Sequence, residues 1–194
     1  MRLEDSLLYL ILDPVVGRDM EEFCVAAIEG GVDVIHLPLS MSGNKEIVKS
    51  VRDVCQREDA LFLVSDDANM TVGVESDGIH LSSVTGAVGQ ARAMIGVDGL
   101  LGISTQSVND AILALEVGAD FLLHWAGTGC PVAFSGLPGA AGSVLFAAGL
   151  SSLDDARSVV DGGVYRLCIE SKLLDGDDVM ERAAGFSRVL GRSI

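Results

Sequence analysis

The sequence predicts an α/β fold, a (β/α)8 barrel made by one unit running over residues 1–194, and three observations predict it. A short apolar run followed by an amphipathic helical stretch recurs about every two dozen residues. The turns closing several of those helices are near copies: Ala27-Ile28-Glu29-Gly30-Gly31-Val32-Asp33, Ala114-Leu115-Glu116-Val117-Gly118-Ala119-Asp120 and, more loosely, Val160-Asp161-Gly162-Gly163-Val164. A glycine in such a turn takes the left-handed C-cap conformation, stops the helix and lets a strand begin at once. Returns this short also force the strands to run parallel. The same units can build an open doubly wound sheet, but the eight that can be counted favour closure.

Taken in order, the expected strands are Leu8–Leu12, Val34–Leu37, Leu61–Ser65, Gly78–Leu81, Leu100–Ile103, Phe121–His124, Val144–Ala148 and Tyr165–Ile169. Between them, apolar residues three and four apart mark helices. Ile47, Val48, Val51, Val54 and Cys55 form one stripe, Ala111, Ile112 and Leu115 another, and Ala183, Phe186, Val189 and Leu190 close the chain. Ala68–Glu75 reads as a short helix. The composition suits this plan: 49% of residues are apolar but only 5% aromatic, so Val, Leu, Ile, Ala and Gly must fill the core. The stretch 126–142 breaks the rhythm with five glycines, two prolines and no charge. It follows strand six on the face where barrels keep their chemistry, as a ligand lid, a degenerate insertion or a contact surface.

The formal charge of −15 argues against nucleic acid or an anionic membrane as a partner, because both require a basic footprint. No apolar run is long enough to span a bilayer, and Met1 to Asp5 lacks a signal peptide's layout, so a cytoplasmic protein is expected. Cys24, Cys55, Cys130 and Cys168 are scattered without a Cys-x-x-Cys pair and read as buried small hydrophobes.

Several segments carry a family signature. Tyr9-Leu10-Ile11-Leu12-Asp13, Gly30-Gly31-Val32-Asp33-Val34-Ile35, Ser76-Asp77-Gly78-Ile79-His80-Leu81, Gly102-Ile103-Ser104-Thr105, Gly118-Ala119-Asp120 and Ser171 follow one another at the spacing of the thiamine phosphate synthase/TenI family. The chain is thus identified as resembling that family over nearly its whole length. The resemblance implies a barrel, a small phosphorylated ligand at its C-terminal face and chemistry that joins an aminopyrimidine diphosphate to a thiazole phosphate with Mg²⁺. TenI-like relatives isomerise a thiazole phosphate instead.

The departures from the family pattern are concentrated where charge is needed. His36, Pro38 and Ser40 stand where the family has Gln, Arg and Lys; Ser65-Asp66-Asp67 stands for Asn-Asp-Arg; Thr85 replaces the second magnesium carboxylate. The Thr-x-Thr-Lys loop after strand six has no counterpart. Residues 93 to 156, a span of 64, hold no Lys or Arg, and only Arg18, Lys45 and Lys172 are expected near the rim. A departing diphosphate then has little to stabilise it, although removing even one transition-state donor costs roughly 2.7–4 kcal/mol. The expected function is therefore a divergent family member that binds a small phosphorylated or heteroaromatic ligand without synthase turnover. An active tautomerase or weak synthase and a non-catalytic scaffold are the alternatives, and a homo-oligomer is compatible with each.

The residues that can still carry chemistry follow from the resemblance and from their types. Asp66 keeps the metal-ligand position, and Asp13 and Asp67 at neighbouring strand ends can complete a hard-oxygen Mg²⁺ site. Alternatively, Asp13 and Asp66 bond loop amides and Asp67 caps a helix. Ser104, Gly149 and Ser171 match positions that contact phosphate or substrate, while the glycine can equally serve its turn and the serine a cap. Glu170, beside Ser171, would repel such a phosphate. His36, His80 and His124 all fall late in strands and can transfer protons near neutral pH, or else sit hydrogen-bonded in the rim or core. Trp125 is expected to pack.

Overall fold

The computed structural model describes residues 1–14, 19–84, 87–125 and 144–194. Eight parallel strands close in chain order: β1 (Leu8–Ile11), β2 (Val34–Leu37), β3 (Leu61–Ser65), β4 (Gly78–Leu81), β5 (Leu100–Thr105), β6 (Phe121–Trp125), β7 (Val144–Ala148) and β8 (Leu167–Glu170). Among the described residues seven α-helices surround them: α1 (Met20–Glu29), α2 (Lys45–Arg57), α3 (Ala68–Gly73), α4 (Ala87–Ile95), α5 (Val108–Glu116), α6 (Leu153–Asp161) and α7 (Val179–Val189). The expected closed barrel is the one found. The alternative of an open sheet is excluded by the pairing of β8 with β1, Leu8 to Ile11 against Leu167 to Glu170.

Local chemistry explains where the helices begin. Asp19, Asn44, Asp67, Ser107, Ser152 and Asp178 each accept a backbone N–H from the first turn of α1, α2, α3, α5, α6 and α7. Such caps satisfy amides that a helix start leaves orphaned. At the end of α1 the two glycines do different work. Gly31 has φ +95°, the conformation expected of it, whereas Gly30 is needed for space: a Cβ there would lie 2.4 Å from the Met180 carbonyl oxygen of α7.

Alternation along each strand sorts side chains into two cores. Leu8, Leu10, Ile35, Leu37, Phe62, Val64, Ile79, Leu81, Leu101, Ile103 and Leu122 face the helices and pack with Phe23, Val51, Val54, Ala111 and Phe186. Tyr9, Val34, Leu61, Leu63, Phe121, Leu123, Val144, Phe146 and Cys168 fill the inside of the barrel, and Leu3, from a 3-10 turn at Leu3–Asp5, joins them at the N-terminal end. Gly102 leaves room for the ring of Phe121, whose Cζ would be 2.0 Å from any Cβ at that position. Cys24, Cys55 and Cys168 are buried and form no disulfide with one another; Cys130 lies outside the described residues.

Strand limits agree with the sequence reading for β2, β3, β4 and β7. The last strand starts two residues later than expected. Tyr165 is 60% exposed, and the Arg166 side chain donates to the carbonyls of Ser6 and Glu4, so this segment is tied to the N-terminal turn before pairing begins at Leu167. No helix among the described residues is long and apolar enough to cross a membrane.

Candidate functional site

The C-terminal ends of the strands hold the polar residues that alternation turns inward. On β2, His36 follows Val34 on the inner face; on β4, His80 follows Gly78; on β3 and β5 the last inward positions are Ser65 and Ser104. The structure brings His36 and His80 together, with ring centroids 4.8 Å apart, above the ring of Tyr9. Tyr9 Oη lies 3.3 Å from His80 Nδ1, His80 Nε2 lies 2.8 Å from Ser104 Oγ, and His36 Nε2 lies 2.6 Å from Ser65 Oγ. His36 Nδ1 is buried and has no hydrogen-bond partner.

Both imidazoles are about as buried as core residues, at 4% and 3% exposure. Burial disfavours the charged ring, so it lowers the pKa of His80 to about 4, and only the Asp66 carboxylate works against this. His36 is pushed well below 6.5 by burial and then by the proximity of His80. The pair is therefore neutral at pH 7 and supplies no positive charge to the mouth. Burial likewise raises the Tyr9 phenol and the Cys168 thiol well above their usual values, leaving both protonated.

The acidic residues are already engaged. Asp66 sits at φ +49° beyond β3, and its carboxylate accepts from the Ser82 amide at 2.9 Å and from the Ser82 hydroxyl. Asp67 caps α3 through the Met70 amide. Asp13 is joined to Ser171: the serine hydroxyl accepts from the Asp13 amide at 2.9 Å and donates to its carboxylate at 3.2 Å. Ser171 is thus buried and committed to Asp13. Glu170 pairs with Lys172, and that hydrogen bond and charge raise the lysine's pKa. Lys45, at the start of α2, lines a groove between α2 and α3.

Tested against these contacts, Mg²⁺ does not find a resident site among the described residues. Asp66, Asp67 and Asp13 are held by Ser82, α3 and Ser171 in three different places. Among the described residues no group of three His, Cys, Asp or Glu side chains is arranged to hold a metal ion. A hard divalent ion needs several oxygen donors at once, and Asp66 alone offers one carboxylate.

The third histidine does not join the other two. Phe121 and Leu123 take the inner face of β6, which turns His124 outward beside Leu122; its Nδ1 lies 2.8 Å from the Thr105 hydroxyl, near Asp110 of α5. Of the three histidines late in strands, His124 is the one hydrogen-bonded on the helix-facing side of the barrel wall. Gly149 leaves β7 with φ +83°, and a Cβ there would lie 3.4 Å from Trp125 Cε3, so this glycine serves both turn and packing. Arg18, Thr85 and the stretch 126–142 lie outside the described residues. Sequence reasoning gave no role to Tyr9, Ser65 or Ser82. Inward alternation of Tyr9 and Ser65 along their strands was the available signal; for Ser82 there was none, because its partner Asp66 comes from the neighbouring strand.

Comparison with known proteins agrees with this architecture. The family model described as thiamine monophosphate synthase matches residues 8–126. The thiamine-phosphate synthase of Saccharopolyspora erythraea is 31% identical over 216 residues, covering 98% of this chain and 95% of that protein. That of Halalkalibacterium halodurans is 27% identical over 191 residues, covering 89% of each. Among solved structures, thiamine phosphate pyrophosphorylase from Pyrococcus furiosus superposes with a TM-score of 0.84 over 97% of both chains at 23% identity, which speaks for the fold.

Proposed function

Since the chain belongs to the thiamine monophosphate synthase family, we propose that it keeps the family's barrel to hold a small phosphorylated or heteroaromatic ligand at the C-terminal face, without driving the departure of a diphosphate. The observation that carries this reading is the absence of free positive charge among the described residues of the mouth. His36 and His80 are neutral, and Lys172 is matched by Glu170. Residues 93 to 156 contribute no Lys or Arg. Charge that builds on a leaving diphosphate needs donors or cations already in place. Among the described residues of the mouth, the carboxylates Asp13, Asp66 and Glu170 outnumber the one cation, Lys172.

The test is direct. Purified protein is supplied with the aminopyrimidine diphosphate, the thiazole phosphate and Mg²⁺, and thiamine phosphate is measured. Losing several donors that are each worth about 10²–10³ in rate leaves turnover at background. Under the same conditions thiamine phosphate or the thiazole phosphate should bind in calorimetry at micromolar to millimolar concentration. Product formation at an ordinary enzymatic rate would overturn the reading.

A further inference from the structure

A sequence of net charge −15 carries only three lysines, and two of them, Lys45 and Lys49, stand about one turn apart on α2. Residues three and four apart share a helix face, so Lys45, Val48, Lys49 and Arg52 form one stripe. Helix electrostatics oppose this placement. Like charges four residues apart repel, and Lys45 opens α2, where the positive end of the helix dipole disfavours a cation.

The stripe lines a groove of about 560 Å³ between α2 and α3, a size suited to one small molecule. The floor is apolar: Val48 is buried, and Met70 and Val74 pack half-buried against the helix-facing core. At one end Arg52 reaches across to Glu75, just beyond α3, and also pairs with Asp53. That bridge shuts the groove there, which suits a small molecule better than a through-running peptide. It also engages both carboxylates that line the groove. Lys172, the third lysine, is matched by Glu170, whereas the ammonium groups of Lys45 and Lys49 are exposed and have no ion pair or hydrogen bond among the described residues.

We propose that this groove binds a small amphipathic phosphate monoester, its head held by Lys45 and Lys49 and its alkyl or aryl body laid on Val48, Met70 and Val74. Two free ammonium groups match such a head, which carries about two negative charges at pH 7. The body covers apolar surface that water otherwise wets. The net charge of the chain disfavours an anionic bilayer as the source of the head group and leaves a freely dissolved ester. The site is built by two helices rather than by strand ends, and it does not depend on the reading of the mouth.

Methyl-¹³C labelling of methionine puts a probe in the floor, with the Met70 signal assigned through Met70→Leu. Hexyl phosphate should shift that signal and bind at micromolar to millimolar concentration. Inorganic phosphate, which lacks the body, hexanol, which lacks the charge, and hexylammonium, which reverses it, should each shift it far less at equal concentration. A chain of charge −15 attracts cations elsewhere, so preference for the anion marks this groove. Lys45 and Lys49 are exposed, so the fold survives their replacement. Lys45→Gln and Lys49→Gln should each weaken hexyl phosphate binding about two- to fivefold, the worth of one exposed ion pair, and the double variant about tenfold. A Met70 signal that ignores hexyl phosphate at tens of millimolar overturns the proposal. So does an equal response to any of the three control compounds, unchanged affinity in the double variant, or sedimentation of the protein with phosphatidic acid vesicles. Hexyl phosphate that moves the Ser171 amide but not Met70 would support the mouth as its site and overturn this one, so the two readings fail separately.

Discussion

His80 is a histidine with both ring nitrogens occupied, by Tyr9 and Ser104, in a barrel interior that excludes water. In the unfolded chain its imidazole titrates near 6.5, and in the folded protein near about 4. Between those values the unfolded chain binds a proton that the native state does not. Stability therefore falls as pH is lowered from 6.5 toward about 4, by on the order of 3 kcal/mol in all, and this group adds no further slope below that. His36 is displaced in the same direction and steepens the fall. Urea midpoints taken between pH 7.5 and 4.5 should drop steadily, and His80→Gln should flatten part of the slope. A midpoint independent of pH across this window would show that the rings are not held neutral. The sequence displayed three histidines late in strands but not which way each turned. In parallel strands buried on both faces the apolar run is nearly continuous, so Phe121, Leu122 and Leu123 gave no phase for His124.

Elements are held to one another by a device at the floor of the barrel, where the strands begin. Asp33, just before β2, accepts the amides of Leu7 and Leu8 at 2.8 and 3.0 Å and a two-pronged contact from Arg192 near the C-terminus. Asp77, before β4, accepts the Phe62 amide of β3, and Asp120, before β6, accepts the Leu101 amide of β5 and pairs with Arg92. Asp33 is 2% exposed, so removing it strands two amides and leaves the Arg192 guanidinium with the Gly31 carbonyl and solvent. Asp33→Ala should lower unfolding free energy by about 3–5 kcal/mol. Arg192→Ala should cost less, on the order of 2 kcal/mol, because the carboxylate keeps its two amides. Equilibrium urea unfolding checks both, and equal losses would mean that the ion pair, not the amide clasp, dominates. Asp33 and Asp120 stood in plain view in the repeated Gly-Val-Asp and Gly-Ala-Asp turns, where only the glycine's role could be read. A glycine's task is local, whereas each aspartate serves a strand that the sequence places far away.

For the whole molecule, eight strand–helix units and their glycine turns were enough to give the closed parallel barrel, because each unit is specified by near neighbours. The mouth was legible in residue types and in the missing cations, but not in the pairing of His36 with Ser65 or of Asp13 with Ser171, which depends on register across strands. The aspartate clasps join β1 to β2, β3 to β4 and β5 to β6; among the described residues β7 and β8 have no such clasp. Those two strands meet in register at Ala147 and Leu167 alone, whereas β6 and β7 share five positions. The closed cylinder is accordingly joined most sparsely between β7 and β8. Hydrogen–deuterium exchange should reveal it, with the Ala147 amide, bonded to the Arg166 carbonyl, losing its protection well before the amides shared by β2 and β3.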